Sequence, residues 1–302
     1  GYFAGPLDND EAGNLYYIAY DAEQPPALIR RNRDGEDKQL AEVAYGARHA
    51  VHPQSGILVT QAEVCENAAL YYDLYRYDLD GGNRQRLSRC GRYRMARWSP
   101  GGDRIVAVHN RLGANELHLL SATGEQLETL WRGAQGTVVS HIDWSPDGRQ
   151  LVASVWRSGS GWDLELFDME QHRWSRLTRS RAIENHPRFS ADGTALLYSA
   201  DYDGVYNIYR MTLASRRVDR LSNVLGGAFY PLQADDAEPL HFVGYQHDGF
   251  DLYRLERAVA SVAPVEIEEG SSGMPAAIPP AVTPGDVSAY SSLESLRPRW
   301  WL

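Results

Sequence analysis

Lysine, cysteine and long apolar runs are what this chain has least of. Lys38 is the only lysine among 30 basic residues, so positive charge is carried almost entirely by arginine. Set against 40 acidic residues, this leaves a formal net charge of -10, which argues against broad binding of nucleic acid or anionic membrane through a basic surface. No run of 18 or more apolar residues occurs, so no transmembrane helix is expected. No charged-then-apolar opening segment reads as a signal peptide, although the chain starts at Gly1 rather than Met, as a processed or truncated chain would. Cys65 and Cys90 are too few for a disulfide scaffold or a cysteine zinc site, and form one bridge or none.

The usual catalytic signatures are missing as well. Gly-x-Ser-x-Gly spacing is absent, since Ser158-Gly159-Ser160-Gly161 carries its glycines at the wrong offsets. There is no His-Glu-x-x-His, no phosphate-binding Gly-x-x-x-x-Gly-Lys and no dinucleotide fingerprint. Asp8-Asn9-Asp10 and Asp201-Tyr202-Asp203-Gly204 open like calcium loops but lack the closing glutamate. The expectation is therefore a protein that is not an enzyme and carries no cofactor and no metal.

What is present is a repeat. At 302 residues, 43% hydrophobic and 23% charged, the chain has the composition of a soluble globular protein. Trp98-Ser99-Pro100-Gly101-Gly102, Trp144-Ser145-Pro146-Asp147-Gly148 and Phe189-Ser190-Ala191-Asp192-Gly193 are copies of one turn, with a weaker copy at His52-Pro53-Gln54-Ser55-Gly56. Gly56, Gly102, Gly148 and Gly193 stand 46, 46 and 45 residues apart. Each turn precedes a short apolar run such as Leu151-Val152-Ala153. A second run opens on Asp or Asn, as in Asp73-Leu74-Tyr75, Asp163-Leu164 and Asn207-Ile208-Tyr209, and a third closes the unit, as in Val218-Asp219-Arg220-Leu221. Two degenerate copies at Pro6 and Pro231 complete six units.

Four short strands in a unit of this length are the arithmetic of a β-propeller blade. A helical repeat would need long stretches of 3.6-residue periodicity, and none is seen. The fold expected is all-β: a six-bladed β-propeller of four-stranded antiparallel blades over residues 1–256. Approximate blades are 1–44, 45–90, 91–136, 137–181, 182–225 and 226–268, with Val262 to Ile267 available as a last edge strand. Trp98, Trp144 and Phe189 are expected to pack between neighbouring blades, and Gly102, Gly148 and Gly193 to supply the positive φ of the turn.

Radial repetition brings equivalent positions together at the axis. The residues preceding the six reference positions are Gly5, His49, Met95, His141, His186 and Tyr230, expected near one mouth of the channel. His49, His141 and His186 in one ring could ligate a metal, but a wet channel wall also calls for polar residues. The reading preferred is a polar contact surface of His49, Arg97, His141, Asp143, His186, Arg188 and Tyr230 for a peptide or partner loop. Asp8 and Asp143 are the carboxylates visible on innermost strands.

Residues 257–302 form a different kind of sequence. They are rich in Pro, Ala and Ser and end in Tyr290-Ser291-Ser292-Leu293 and Leu296-Arg297-Pro298-Arg299-Trp300-Trp301-Leu302. The expectation is a linker and an aromatic-basic tail leading to a domain not present in this chain.

The pattern Trp-Ser-Pro-Asp-Gly at 144–148, an apolar strand, and Asp-Gly-Val-Tyr-Asn-Ile-Tyr at 203–209 resembles the WD-like propeller repeats of TolB-type proteins, also found in the propellers of prolyl oligopeptidases. The terminal segment 290–302 resembles the junction between such a propeller and a C-terminal surface-antigen-type outer-membrane β-barrel. These resemblances imply a non-enzymatic interaction or scaffold module in the periplasm of a bacterial envelope. They imply a protein or peptide partner, and membrane contact only through a missing barrel and Trp300 and Trp301. The alternative they imply is the regulatory propeller of a prolyl-oligopeptidase-like serine hydrolase whose catalytic domain is absent from this chain.

Overall fold

A computed structural model of the chain describes residues 2–256, apart from residues 4, 22, 112, 236 and 248. They form six antiparallel sheets, in which successive strands are hydrogen-bonded neighbours except that β1 and β2 of the first both pair with β3. Blade 1 comprises β1 (Tyr2–Phe3) and β2 (Asp8–Asn9), both paired with β3 (Leu15–Tyr20), then β4 (Ala27–Arg31) and β5 (Asp37–Glu42). Blade 2 holds β6 (Arg48–His52), β7 (Gly56–Val64), β8 (Leu70–Tyr77) and β9 (Gln85–Arg86). Blade 3 holds β10 (Tyr93–Trp98), β11 (Arg104–Arg111), β12 (Ala114–Ser121) and β13 (Gln126–Arg132). Blade 4 holds β14 (Val138–Trp144), β15 (Gln150–Arg157), β16 (Gly161–Asp168) and β17 (Arg173–Arg176). Blade 5 holds β18 (Glu184–Phe189), β19 (Ala195–Ala200), β20 (Asn207–Thr212) and β21 (Val218–Arg220). Blade 6 shows three strands among the described residues, β22 (Ala228–Leu232), β23 (Leu240–Gln246) and β24 (Gly249–Leu255). The expected edge strand at 262–267, the linker and the aromatic tail lie outside the described residues.

The repeated turn is built from its own side chains. In blade 4 the Gly148 amide donates to the Ser145 carbonyl at 2.9 Å, Ser145 Oγ donates to Asp147 at 2.6 Å, and the Gln150 amide donates to Ser145 Oγ at 2.9 Å. Blade 5 repeats the arrangement with Gly193, Ser190, Asp192 and Ala195. Gly148 and Gly193 have φ near +70°, a left-handed conformation that only glycine adopts without a Cβ penalty. The serine thus satisfies backbone groups where strand pairing runs out, which explains why it recurs between the aromatic and the glycine.

An Asp or Asn in the third strand latches one blade to the connector of the next. Ser88 Oγ donates to Asp73 at 2.8 Å and accepts the Leu74 amide at 2.9 Å, while the Gly91 amide donates to Asp73 at 2.8 Å. Asn207, Ser222 and the Val224 amide do the same in blade 5. Cys65 and Cys90 form a disulfide across a separation of 25 residues, tying the β7–β8 hairpin to the loop that enters blade 3.

Apolar surface is buried between blades as well as within them. Trp98 packs among Leu58, Leu74 and Ile105 across the seam of blades 2 and 3, and its indole N–H donates to the Gly56 carbonyl at 3.1 Å. Trp144 lies in the largest cluster, between Met95, Val106 and Leu119 of blade 3 and Leu151 and Phe167 of blade 4. Phe189 packs half-buried against Val152, Leu166 and Leu196 at the next seam. Leu7 and Tyr17 of blade 1 meet Leu232 and Val243 of blade 6, so the ring closes by face packing. Burying one such aromatic is worth several kcal/mol, and six seams in a circle make each blade dependent on its neighbours.

Candidate functional site

The innermost strand of most blades is interrupted near its middle. Strand pairing shifts register between Tyr93 and Met95, between Ser140 and Asp143, between Asn185 and Arg188, and between Phe229 and Leu232. In blade 1 the break at Gly5, φ +123°, separates β1 from β2. At three of these bulges a residue other than glycine stands at left-handed φ: His141, His186 and Tyr230 have φ of 50°, 56° and 52°. Such a backbone costs roughly 1–2 kcal/mol per residue relative to glycine, and β-bulges characteristically re-aim a side chain.

Here the side chains are aimed at the axis, where the three rings meet. Ring centroids of His141 and His186 lie 4.2 Å apart, those of His186 and Tyr230 3.8 Å, and those of His141 and Tyr230 5.8 Å. With Arg48, His49 and Met95 they line a narrow opening of about 40 Å³ at one end of the channel. Burial holds the His186 imidazole down at about 3 and His141 well below its usual value, the latter reinforced by His186 and Arg48. Both rings are therefore neutral at neutral pH. His141 Nδ1 is 2.9 Å from Ser140 Oγ, while its buried Nε2 has no hydrogen-bond partner.

Beneath this collar an ion network spans the channel. Arg97 of β10 reaches Asp8 of β2 with Nη1 at 2.8 and 3.0 Å and donates through Nε to the Ile142 carbonyl at 3.2 Å. Arg188 of β18 pairs with the same carboxylate and donates to the Leu7 carbonyl at 2.8 Å. Asp143 lies 3.9 Å from Arg97 Nε and accepts the Phe189 amide at 3.0 Å. Burial alone would raise the Asp8 carboxyl, but Arg97, Arg188 and His49 outweigh it and hold it at about 2. The network draws on blades 1, 3, 4 and 5 and faces a second opening, of about 340 Å³, on the side of the repeated turns.

The seven residues expected at the mouth thus divide into two layers. His141, His186 and Tyr230 form the collar, and Arg97, Asp143 and Arg188 form the bridge. His49 lines the collar opening, but its side chain is fully buried, with Nε2 donating to the Tyr16 carbonyl at 3.1 Å and lying 3.6 Å from Asp8. Burial depresses it to about 4. The segment 8–10, which opens like a calcium loop, is instead β2 leading into its hairpin, where Asp10 accepts from the Asn14 amide at 2.9 Å and the Tyr16 hydroxyl at 2.9 Å. Sequence reasoning placed Asp8 on an innermost strand without seeing that it anchors the bridge, and it missed Arg48 because that residue stands one position off the repeat register.

Six radial sheets around a polar channel, with a Trp-Ser-Pro-Asp-Gly turn at the base of the blade, define a WD-type β-propeller. The chain belongs to the TolB β-propeller domain family, PD40, whose profile matches residues 58–263. Among curated relatives, an uncharacterised protein of Agrobacterium fabrum, Atu1656, is 25% identical over 162 residues, covering 51% of each chain. The Tol-Pal system protein TolB of Francisella tularensis is 35% identical over 81 residues, or 26% of this chain and 18% of its own. The chain therefore spans about half or less of the length of these relatives. Among solved structures, a putative TolB from Agrobacterium tumefaciens is similar with a TM-score of 0.58 and 20% identity, over 72% of this chain and 76% of that one. A puromycin hydrolase gives a TM-score of 0.58 at 14% identity, over 88% of this chain and 54% of that one.

Proposed function

We propose that this propeller is a non-enzymatic interaction module of a bacterial envelope protein, binding a partner loop or peptide at the collar of His141, His186 and Tyr230. The observation that carries the reading is that three non-glycine residues are held at left-handed φ to aim their rings into one opening. Strain of that kind is retained where a site needs it. A partner segment would stack against the rings and donate a hydrogen bond to His141 Nε2, while the Asp8–Arg97–Arg188 bridge stops it from passing through.

An oxidising compartment is supported by the Cys65–Cys90 disulfide, which reducing cytosol would not maintain. The TolB relative's place in the Tol-Pal system supports a periplasmic location, and residues 257–302 would tether the disk to an outer-membrane barrel, with Trp300 and Trp301 toward the interface. The regulatory propeller of a serine hydrolase is the second reading. It is favoured by the likeness to puromycin hydrolase, which leaves nearly half of that enzyme unmatched.

The test is site-specific photocrosslinking in cells, with the crosslinker at residue 230 or, as a rim control, at residue 128. One partner captured from position 230, not from 128, and lost in His141→Ala/His186→Ala, is expected. Equal capture from both positions, or capture unaffected by the double variant, would sink the collar reading. Sequencing the gene beyond Leu302 separates the two readings: amphipathic barrel strands support the first, a Gly-x-Ser-x-Gly domain the second.

A further inference from the structure

A second polar group lies in blade 3, away from the collar and independent of the reading given to it. The β11–β12 pairing sets His109 opposite Glu116 and Ala107 opposite His118, so His109, Glu116 and His118 share one face of the hairpin. Their ligand atoms all lie within 4.8 Å of one another. Among the described residues this is where three metal-ligating side chains converge; the channel histidines form no such group.

We propose that His109, Glu116 and His118 bind a divalent transition-metal ion of the zinc type. Glu116 Oε2 is 3.0 Å from His118 Nε2 and 3.6 Å from His109 Nδ1. Metal–ligand bonds of about 2.0–2.2 Å in tetrahedral geometry set neighbouring ligand atoms roughly 3.3–3.6 Å apart, so the 3.6 Å separation suits a shared ion and the 3.0 Å contact, a hydrogen bond, would open by a few tenths of an ångström to admit one. The remaining atoms are oriented as ligands need to be. Tyr93 OH sits 3.2 Å from His118 Nδ1, fixing that ring, and Arg111 and Arg132 hold the other carboxylate oxygen, Oε1, at 3.0 and 3.2 Å.

His109 Nδ1 is buried and makes no hydrogen bond. Its ring stacks on that of His118 with centroids 4.6 Å apart and planes 14° from parallel, so joint ligation requires the His109 ring, the more exposed of the two, to turn out of the stack and bring its in-plane lone pair onto the ion. Two imidazoles and one carboxylate suit zinc or cobalt better than calcium or magnesium, which prefer oxygen ligands. Three protein ligands leave a fourth position for water or for a side chain of a partner. His109, the most exposed of the three, marks the open side.

The test titrates the folded, metal-free full chain with Co(II) alone, followed by its visible d–d absorption, and then displaces it with Zn(II). One Co(II) per chain in a four-coordinate nitrogen–oxygen environment is expected. His109→Ala and Glu116→Gln should abolish the band, and Tyr93→Phe should weaken binding about 10–100-fold. His141→Ala/His186→Ala should leave it intact. Melting midpoints of each metal-free variant separate loss of a ligand from loss of fold, and His109→Ala, at the exposed side, is the variant least tied to packing. Absence of Co(II) uptake by the folded wild-type chain, or uptake unchanged in both His109→Ala and Glu116→Gln, overturns the proposal.

Discussion

The seams between blades and the axis they surround are built from the same repeat, yet they use it in opposite ways. At the seams, equivalent positions hold equivalent side chains: Trp98, Trp144 and Phe189 fill the same gap and are followed by the same turn. At the axis, equivalent positions hold Gly5, His49, Met95, His141, His186 and Tyr230, and three of them carry backbone strain. Where residues recur, the common requirement is packing. Where they diverge at a fixed place in the repeat, no shared packing need explains them, and the strain at that place points to recognition.

Four measurements can break or sharpen this contrast. The largest effect belongs to a seam: Trp98→Ala should cost about 3–5 kcal/mol through the cavity it leaves, read from denaturant midpoints. A near-wild-type midpoint would show that the seams are not what holds the ring. Next comes the covalent seam between blades 2 and 3. Closing a loop of 25 residues, the Cys65–Cys90 bridge should contribute about 2–4 kcal/mol, lost in Cys65→Ser or on reduction.

The third measurement is pH dependence, to which the apolar seams are indifferent and the axis is not. His49 and His186 have folded values of about 4 and 3, below those of the unfolded chain, so their contribution is present above about 6.5 and is lost as pH falls toward 4 and 3. Asp8, held at about 2, contributes above its usual 3.8 and loses that contribution as pH falls toward 2. At about 1.4 kcal/mol per unit, these amount to about 3–5 kcal/mol for the histidines and about 2 kcal/mol for Asp8. Glu184 runs the other way. Burial lifts it to about 7, so it destabilises above that value and the cost is relieved as pH falls toward 4.5. Glu184→Gln should therefore steepen the loss of stability between pH 7 and 4.5, measured by urea midpoints across that range.

The smallest effect is expected at the collar. His141→Gly relieves a left-handed backbone while removing ring contacts, so its stability should stay within about 1 kcal/mol of wild type. A loss as large as that of Trp98→Ala would make the collar another packing element and remove the argument from strain.

Much of this was legible because the period of the chain repeats a physical need. The turn glycines, the seam aromatics and the number of blades all follow from one unit that cannot bury its own faces. Legibility stopped where contacts join distant units. Asp8, Arg97 and Arg188 come from blades 1, 3 and 5, and no local pattern marks a carboxylate that meets two guanidinia some 90 and 180 residues away. His49 occupies the expected ring position and lines the opening, but its ring is engaged by buried contacts with Tyr16 and Asp8 that no spacing announces. The β11–β12 histidines gave no signal because His109-x6-Glu116-x-His118 matches no metal motif until a hairpin folds it onto one face.

The amino-acid sequence by itself determined the architecture, since turn chemistry, strand alternation and period act within a single unit and each copy restates them. It also determined which rings seal the blades. Only the tertiary structure decided what the axis does. Bulges turned three residues inward, an ion network closed the channel beneath them, and both depend on distances between units that no spacing along the chain encodes.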